Sequence, residues 1–88
     1  MTKRISFTPK AFEQYKEWHL LDKKVAKRLD NLIDEAARSP FSGTGKPEPL
    51  KHDLRGYWSR QLTQEDRLVY RVTEDDLQII SCKYHYLK

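Results

Sequence analysis

The chain has 88 residues, of which 38% are hydrophobic, 34% are charged and 11% are aromatic. This length predicts one small domain over residues 1–88, and the aromatic content argues against disorder. The net charge of +4 favours polyanions as partners, although a soluble basic domain without such a partner fits the charge equally well. Cys82 is the only cysteine, which excludes an internal disulfide and a multi-cysteine zinc site; its strand-like surroundings indicate a packed thiol.

Two features of the chain predict a cytoplasmic protein that does not contact a membrane. No apolar run approaches the ~20 residues that cross a bilayer. The charged N-terminus also lacks the apolar core of a signal peptide.

The first quarter of the chain predicts a strand followed by a helix. Arg4–Phe7 is a short strand candidate. Thr8 and Pro9 then form an N-cap with a first-turn proline, so a helix should run from there to about Leu20. Phe12, Tyr15 and His19 lie near one face of this helix, and Trp18 beside them is expected to pack in the core.

A second helix is predicted from Asp22, a suitable N-cap, to Ser39-Pro40, where proline stops it. Its apolar positions repeat at helical spacing and are Val25, Leu29, Leu32, Ile33 and Ala36. The opposite face is charged and most simply solvated, with Lys24, Lys27, Arg28, Asp34 and Glu35. The two helices should pack against each other and against a sheet.

The segment PFSGTGKPEP, residues 40–49, is either a flexible linker or an ordered loop. Phe41 is a natural anchor for an ordered loop. Pro47 and Pro49 restrict the backbone on both sides of Glu48 and should hold it extended. A carboxylate held in this way costs little entropy to position, which favours the ordered loop.

The second half predicts three strands, Tyr57–Leu62, Arg67–Val72 and Leu77–Tyr84, joined by the turns TQED and TEDD. Because side chains alternate between faces, one face is apolar and should receive the helices. It collects Trp58, Leu62, Leu68, Tyr70, Val72, Ile80, Cys82 and Tyr84. Arg60 has the same parity and does not fit, so we expect it to reach an edge or a carboxylate.

The other face of the sheet is polar and cationic. It collects Tyr57, Ser59, Gln61, Arg67, Val69, Arg71, Ser81, Lys83 and His85. It is either an ordinary solvated face or a functional one, and the Glu48 loop, which leads directly into the sheet, favours the second. A carboxylate, cations and imidazoles gathered there suit acid–base chemistry on a phosphate. No metal-ligand spacing, P-loop or nucleophile motif stands out, so no cofactor is expected.

The runs PFSGTGKPEPLKHDLRGYWSRQL and EDRLVYRV, with the closing CKYHY, resemble the YoeB/Txe toxins of the RelE-like superfamily. The resemblance implies an α+β fold, in which a small antiparallel sheet carries two N-terminal helices on one face. It also implies a ribosome-dependent endoribonuclease that cuts mRNA in the decoding site. A YefM-type antitoxin would hold it inactive, homodimers are common, and operator DNA would be bound only together with the antitoxin.

The resemblance also implies roles for individual residues. Glu48 matches the general base, His85 the general acid and Arg67 the arginine that stabilises the phosphate; Tyr86 matches a tyrosine of the closing motif. RNA-binding positions would be Lys46 and Lys51 in the loop, with Gln61, Arg71 and Lys83 on the polar face. The ribose 2′-hydroxyl would attack the adjacent phosphorus without a metal, leaving a 2′,3′-cyclic phosphate and a 5′-hydroxyl.

Two departures from the family pattern put the level of activity in doubt. Gln61 stands where a second arginine is common, and Leu87-Lys88 extend the chain past the usual end. A non-catalytic binder that blocks the ribosome by occupancy is therefore the alternative function. A transcriptional co-repressor that acts only with its antitoxin is compatible with either.

Overall fold

The computed structural model describes residues 2–84, which fold into two helices and five strands. The elements in chain order are β1 (Arg4–Phe7), α1 (Pro9–Leu21), α2 (Lys23–Arg38), β2 (Glu48–Pro49), a 3₁₀ turn (His52–Leu54), β3 (Tyr57–Gln61), β4 (Arg67–Val72) and β5 (Asp76–Ser81). Among these residues, no helix is long and apolar enough to cross a membrane.

Both helices begin at the caps that the sequence predicts. Thr8 Oγ1 accepts a hydrogen bond from the Ala11 amide at 3.1 Å, and Asp22 Oδ1 accepts one from the Val25 amide at 3.2 Å. These bonds satisfy amides that have no partner within the first helical turn. The apolar stripe of α2 is buried against the sheet as predicted, apart from the half-buried Val25.

Helix α1 contributes less to the core than α2. Its buried residues are Ala11 and Gln14, whereas Phe12 remains 46% exposed. Trp18 packs against the core as predicted, and its indole Nε1 donates to the Cys82 carbonyl at 2.8 Å. The Tyr15 hydroxyl donates to Asp30 at 2.8 Å, which ties α1 to α2.

The sheet has the strand order β1-β5-β4-β3-β2, and the helices pack on one of its faces. This confirms the predicted α+β class. The pairs β2/β3, β3/β4 and β4/β5 are antiparallel, but β1 lies parallel to β5, so the sheet is mixed rather than purely antiparallel. Two residues, Glu48 and Pro49, form the extra edge strand β2, which the sequence pattern shows only as a loop.

The predicted inward residues are correct in β3 and β4; of those predicted for the last strand, Cys82 is buried in the core, whereas Ile80 and Tyr84 are not. Leu77 and Ile79 are buried, while Ile80, predicted to face inward, is only half-buried. Tyr70 pairs with Ile79 and Val69 with Ser81, so Ile80 is an extra residue in a β-bulge that reverses the alternation. The strand also ends at Ser81 rather than Tyr84, and Tyr84 is 62% exposed.

Cys82 is a packed thiol, as predicted. It is fully buried, and its Sγ lies 3.8 Å from the Ala11 carbonyl oxygen. Burial raises the pKa of this thiol to about 12, so it stays protonated at neutral pH.

The centre of the polar face is buried, so the first of the two alternatives, an ordinary solvated face, does not describe it. Ser59, Val69 and Ser81 lie side by side across β3, β4 and β5 and are buried. The charged residues of this face lie around that buried centre. Alternation assigns a residue to a face, but it does not show how much of that face is covered.

Arg60 reaches a carboxylate, one of its two predicted outcomes. Its side chain is fully buried on the helix side of β3, and Nη1 lies 2.9 Å from Glu35 Oε1 of α2. Glu35 is therefore not simply solvated. Arg28 is engaged as well, because its guanidinium donates to the carbonyls of Gln61 and Leu62 at 2.8 Å each.

Candidate active site

The Glu48 loop follows a defined path and ends in a short strand. Glu48 pairs with Ser59 and Pro49 with Trp58, so Glu48 is extended between its two prolines as predicted. The Phe41 ring lies 4.8 Å from the Trp58 ring, which confirms Phe41 as an anchor. The Glu48 side chain remains 54% exposed, so its carboxylate can be reached from solvent.

Glu48 and Arg67 are brought together across the polar face. Arg67 Nη1 lies 3.7 Å from Glu48 Oε1, although the two residues are on the non-adjacent strands β2 and β4. A separation of this size is an ion pair rather than a good hydrogen bond. The pair therefore offers a reachable carboxylate beside a fixed positive charge.

Gln61 lies beside Arg67, whereas Arg71 lies near the other end of β4. Gln61 is directly opposite Arg67 in the β3/β4 ladder, which confirms its predicted face. Arg71 shares that face but pairs with Tyr57 and Gln78. Four residues of strand separate it from Arg67, a distance of roughly 13 Å. Arg71 is therefore poorly placed to replace a charge missing at Gln61.

The two predicted lysines of the loop lie on either side of β2 and are exposed. Lys46 precedes it in the left-handed backbone region, with φ 53°, and Lys51 follows it. Lys51 lines an open cleft of about 310 Å³ together with Glu48, Pro49, Leu50, His52 and Leu54. An exposed cation beside the base position suits contact with a nucleic-acid backbone.

Lys83 does not belong to this group, contrary to its predicted place on the polar face. Its Nζ lies 2.7 Å from Glu17 Oε1 of α1 and 5.5 Å from the centre of the Trp18 ring. The hydrogen bond to Glu17 raises the pKa of Lys83. The prediction failed because β5 ends at Ser81, so alternation no longer applies two residues later.

Asp66 is a positioning residue that the sequence analysis missed. Its Oδ1 accepts the Tyr84 amide at 2.6 Å, while the Arg67 amide donates to the Tyr84 carbonyl at 3.1 Å. Thr63 Oγ1 donates to Asp66 Oδ2 at 2.7 Å. These bonds hold the end of the described chain beside Arg67. The spacing of Thr63 and Asp66 in the TQED turn is the sequence signal for this bonded turn.

His85 and Tyr86, predicted as the general acid and the closing tyrosine, lie outside the described residues, as do Leu87 and Lys88. Tyr84, which precedes His85 in the sequence, is the residue held at Arg67. The roles of His85 and Tyr86 stay predictions.

Two buried hydroxyls under the polar face were also missed. The Oγ atoms of Ser59 and Ser81 are buried and have no hydrogen-bond partner among residues 2–84. Ser59 is the cross-strand neighbour of Glu48. Strand alternation predicts its face, but no local signal predicts its burial. Within the same residues, no three His, Cys, Asp or Glu side chains gather as a metal site would require.

Comparisons with known proteins agree with this fold and with one another. The model of a family described as the YoeB-like toxin of bacterial type II toxin-antitoxin systems matches residues 7–86. Toxin YoeB of Streptomyces coelicolor is 53% identical over 83 residues, which cover 94% of this chain and 99% of that protein.

Solved structures from Staphylococcus aureus are similarly close. Its YoeB dimer has a TM-score of 0.89 at 45% identity, and its heterotetrameric YoeB-YefM toxin–antitoxin complex has a TM-score of 0.87 at 45% identity. Each alignment covers 98% of this chain and 100% of the other. Because the family model and these relatives extend over nearly the whole sequence, the chain belongs to the YoeB-like toxins of bacterial type II toxin–antitoxin systems.

Proposed function

We propose that the chain is a ribosome-dependent endoribonuclease that cuts mRNA in the decoding site without a metal and so inhibits translation in the cytoplasm. The observation that carries the proposal is the exposed Glu48 carboxylate 3.7 Å from Arg67, with Gln61 directly opposite Arg67. Cleavage by an internal 2′-hydroxyl needs a base beside a group that stabilises phosphoryl charge, and this arrangement supplies both.

In this mechanism Glu48 takes the proton of the ribose 2′-hydroxyl, and the resulting oxygen attacks the adjacent phosphorus. Arg67 and Gln61 donate hydrogen bonds to the phosphoryl oxygens, where negative charge grows. His85 gives a proton to the departing 5′-oxygen, with Tyr86 beside it in the sequence. The bond between phosphorus and that oxygen breaks, which leaves a 2′,3′-cyclic phosphate and a 5′-hydroxyl.

Basic residues around the site would hold the message. Lys46 and Lys51 are exposed on either side of Glu48 and would contact phosphates near the cleaved bond. Arg71, about 13 Å further along β4, would contact a more distant nucleotide. Contacts at the loop lysines and at Arg71 would together orient the RNA, and orientation contributes several kcal/mol to such reactions.

A YefM-type antitoxin is the proposed partner, in line with the YoeB-YefM complex of the S. aureus relative. The toxin of that organism also forms a dimer, and we propose a homodimer here. Operator DNA would be bound only through the complex with the antitoxin.

The test is a cleavage map of mRNA on programmed ribosomes, with the purified chain and its Glu48→Gln variant. We expect the parental chain to cut the bound message and to cut free RNA weakly. Loss of a general base typically lowers the rate by about 10²–10⁴-fold, which sets the expectation for Glu48→Gln and, for the acid, His85→Ala. Glu65→Gln, in the exposed β3–β4 turn, is the matched control and should cut at the parental rate.

Two outcomes would contradict the proposal. An intact message on stalled ribosomes would mean inhibition by occupancy, which is the non-catalytic alternative raised by Gln61. Parental cleavage by Glu48→Gln would remove the base from its assigned residue.

A further inference from the structure

Arg60 uses every hydrogen-bond donor that its side chain has. A guanidinium offers five N–H groups in a fixed plane. Nε donates to the Tyr70 hydroxyl at 3.1 Å, and Nη1 to Glu35 Oε1 at 2.9 Å. The remaining acceptors are backbone carbonyls, those of Thr44 at 3.1 Å, Ser39 at 2.7 Å and Ser42 at 2.8 Å. A buried charge is stable only when it is paired and bonded to this degree.

The bonds of Arg60 converge on one segment, the α2–β2 loop of residues 39–47. Its two neighbours bind the same loop. The Tyr70 hydroxyl donates to the Pro40 carbonyl at 2.6 Å, and Glu35 accepts the Thr44 amide at 2.7 Å. We call Arg60, Glu35 and Tyr70 the Arg60 cluster. The loop carbonyls that accept these bonds lie outside the helices and strands, and the buried side chains of Arg60 and Tyr70 donate the hydrogen bonds to them.

The backbone of the loop is fitted closely to this cluster. Gly43 and Gly45 have φ values of +112° and +86°, which side chains rarely allow. A Cβ added to Gly43 would lie 2.8 Å from Glu35 Cδ, and one added to Gly45 would lie 3.1 Å from Arg60 Cβ. The Gln61 amide donates to the Gly45 carbonyl at 2.7 Å. The loop therefore leaves the cluster at Gly45 along a fixed path.

Glu48 is three residues further along that path. Strand β2 contains only Glu48 and Pro49, so its own ladder does little to hold it. Arg60 itself faces the helices, while Glu48 pairs with Arg67 on the opposite face of the sheet. Arg60 therefore cannot touch a substrate bound at that pair.

We propose that Arg60 is a positioning residue, which sets the Glu48 carboxylate against Arg67 through the α2–β2 loop. This inference rests on the proposed function, because Glu48 must be the base for its position to matter. Arg60→Lys keeps the charge and offers three donors without the planar fork, so it should pair with Glu35 but release part of the loop. Displacement of a catalytic group by about 1 Å lowers a rate by up to about 10²-fold.

The experiment is a double-mutant cycle in single-turnover cleavage on programmed ribosomes. Arg60→Lys alone should lower the rate at saturation by about 10–100-fold and change the half-saturating concentration by less than about twofold. In the Glu48→Gln background the same change should alter the residual rate by less than about twofold, because the misplaced group is already absent. Equal effects in both backgrounds, or a change in half-saturation alone, would overturn the proposal.

Arg28→Lys is the matched control. This arginine also joins α2 to the backbone of β3, through the carbonyls of Gln61 and Leu62, and these hydrogen bonds do not go to the α2–β2 loop. In the chain that retains Glu48, Arg28→Lys should leave the cleavage rate within about threefold of the parental rate. If Arg60→Lys does not fold, Glu35→Gln takes its place in the cycle, since it keeps an acceptor for Thr44 and weakens the hold on Arg60. The same outcomes then decide.

A second measurement separates this proposal from the proposed function. If the parental chain cuts no message, the base assignment fails, and amide hydrogen exchange tests the positioning role by itself. Arg60→Lys should speed exchange of the Thr44 and Leu50 amides by about tenfold or more, while the Thr73 amide in the β4–β5 turn stays at the parental rate. Unchanged exchange at Thr44 and Leu50 would overturn the role of Arg60.

Discussion

Two arginine–glutamate pairs within residues 2–84 have the same chemistry and opposite character. The Arg60–Glu35 pair is 2.9 Å apart, with Arg60 fully buried and every donor used. The Arg67–Glu48 pair is 3.7 Å apart, with Glu48 54% exposed. One pair holds backbone in place. The other leaves a carboxylate open to a substrate.

The difference follows from burial. A buried ion pair is stable only when hydrogen bonds replace the lost water, so its geometry becomes tight and fixed. An exposed pair contributes little to stability, which leaves its geometry free to serve chemistry. Residue type therefore does not separate the buried Arg60 from Arg67, for which we propose a role in catalysis, whereas the face of the sheet on which each lies does.

The largest expected effect is a loss of stability when Arg60 is removed, and the removal of Arg67 is the comparison. Arg60→Ala removes the cation paired with Glu35, which keeps its bonds from Thr44, and it removes the donor of three loop carbonyls. Breaking a buried pair in this way costs about 3–5 kcal/mol of unfolding free energy. Arg67→Ala breaks a longer pair whose carboxylate is half-exposed, and it should cost less than Arg60→Ala does. Urea unfolding, followed by tryptophan fluorescence, measures both.

Cleavage activity provides a second comparison between the same two variants. Arg67→Ala should unfold at a higher urea concentration than Arg60→Ala and yet lose cleavage, because it removes charge stabilisation at the phosphoryl oxygens. If Arg67→Ala proved as destabilising as Arg60→Ala, the distinction between the two pairs would be wrong.

Next in size is the effect on cleavage of adding a positive charge beside the proposed catalytic pair, Arg67 and Glu48. Gln61 donates hydrogen bonds to a phosphoryl oxygen but brings no charge, and loss of one charge-stabilising donor costs about 10²–10³-fold in rate. We expect Gln61→Arg to speed single-turnover cleavage on the ribosome, by up to about 10²-fold.

Arg71→Ala serves as the comparison for Gln61→Arg. It should slow cleavage less than Arg67→Ala does, because roughly 13 Å of strand separates it from Arg67. A strong loss with Arg71→Ala and no gain with Gln61→Arg would show that the substrate lies further along β4 than proposed.

Much of the fold follows from local sequence signals, because these signals act within a few residues. The caps Thr8 and Asp22 begin the helices as predicted, and Ser39-Pro40 ends the second. The faces of β3 and β4 were also predicted correctly, since their ladder runs without a break. In β5 the extra residue Ile80 reverses the faces, and nothing in the local pattern marks that bulge.

The candidate site was predictable where residues lie on β2, β3 and β4, and not beyond. Glu48, Gln61 and Arg67 come together as expected. Lys83 does not, because its strand has already ended. The contacts of Arg60 depend on Glu35, 25 residues away in sequence, so the sequence predicts that a carboxylate is needed but not which one.

A smaller effect is the pH dependence of the stability that the Arg60–Glu35 pair contributes. The pKa of Glu35 lies below its ordinary value of 4.5, first because the Thr44 amide donates to it and then because of the Thr44 hydroxyl and Arg60. A carboxyl group with a lower pKa in the folded state stabilises the fold above its unfolded pKa and loses that contribution as pH falls through the folded pKa. Part of the stability should therefore disappear below about pH 4.5.

Urea unfolding of the parent and of Glu35→Gln, from neutral to acid pH, measures that part. The variant should be less stable at neutral pH, and the difference between the two proteins should shrink as the pH falls below about 4.5. A difference that stays constant across this range would contradict the role of the Glu35 charge.

The smallest expected effect is the loss of stability on replacing Lys83. A comparison of Lys83 with Lys51 extends the contrast between the two arginines to two lysines. Its ammonium is bound to Glu17 of α1, whereas Lys51 is exposed beside Glu48. Lys83→Gln should cost no more than about 1 kcal/mol of stability, as for other surface pairs, and leave cleavage unchanged. Lys51→Gln should instead raise the half-saturating ribosome concentration, because it removes a phosphate contact. If Lys83→Gln raises that concentration as much as Lys51→Gln does, then Lys83 leaves Glu17 to bind RNA. A contact with α1 would then be insufficient evidence that a lysine has a structural role.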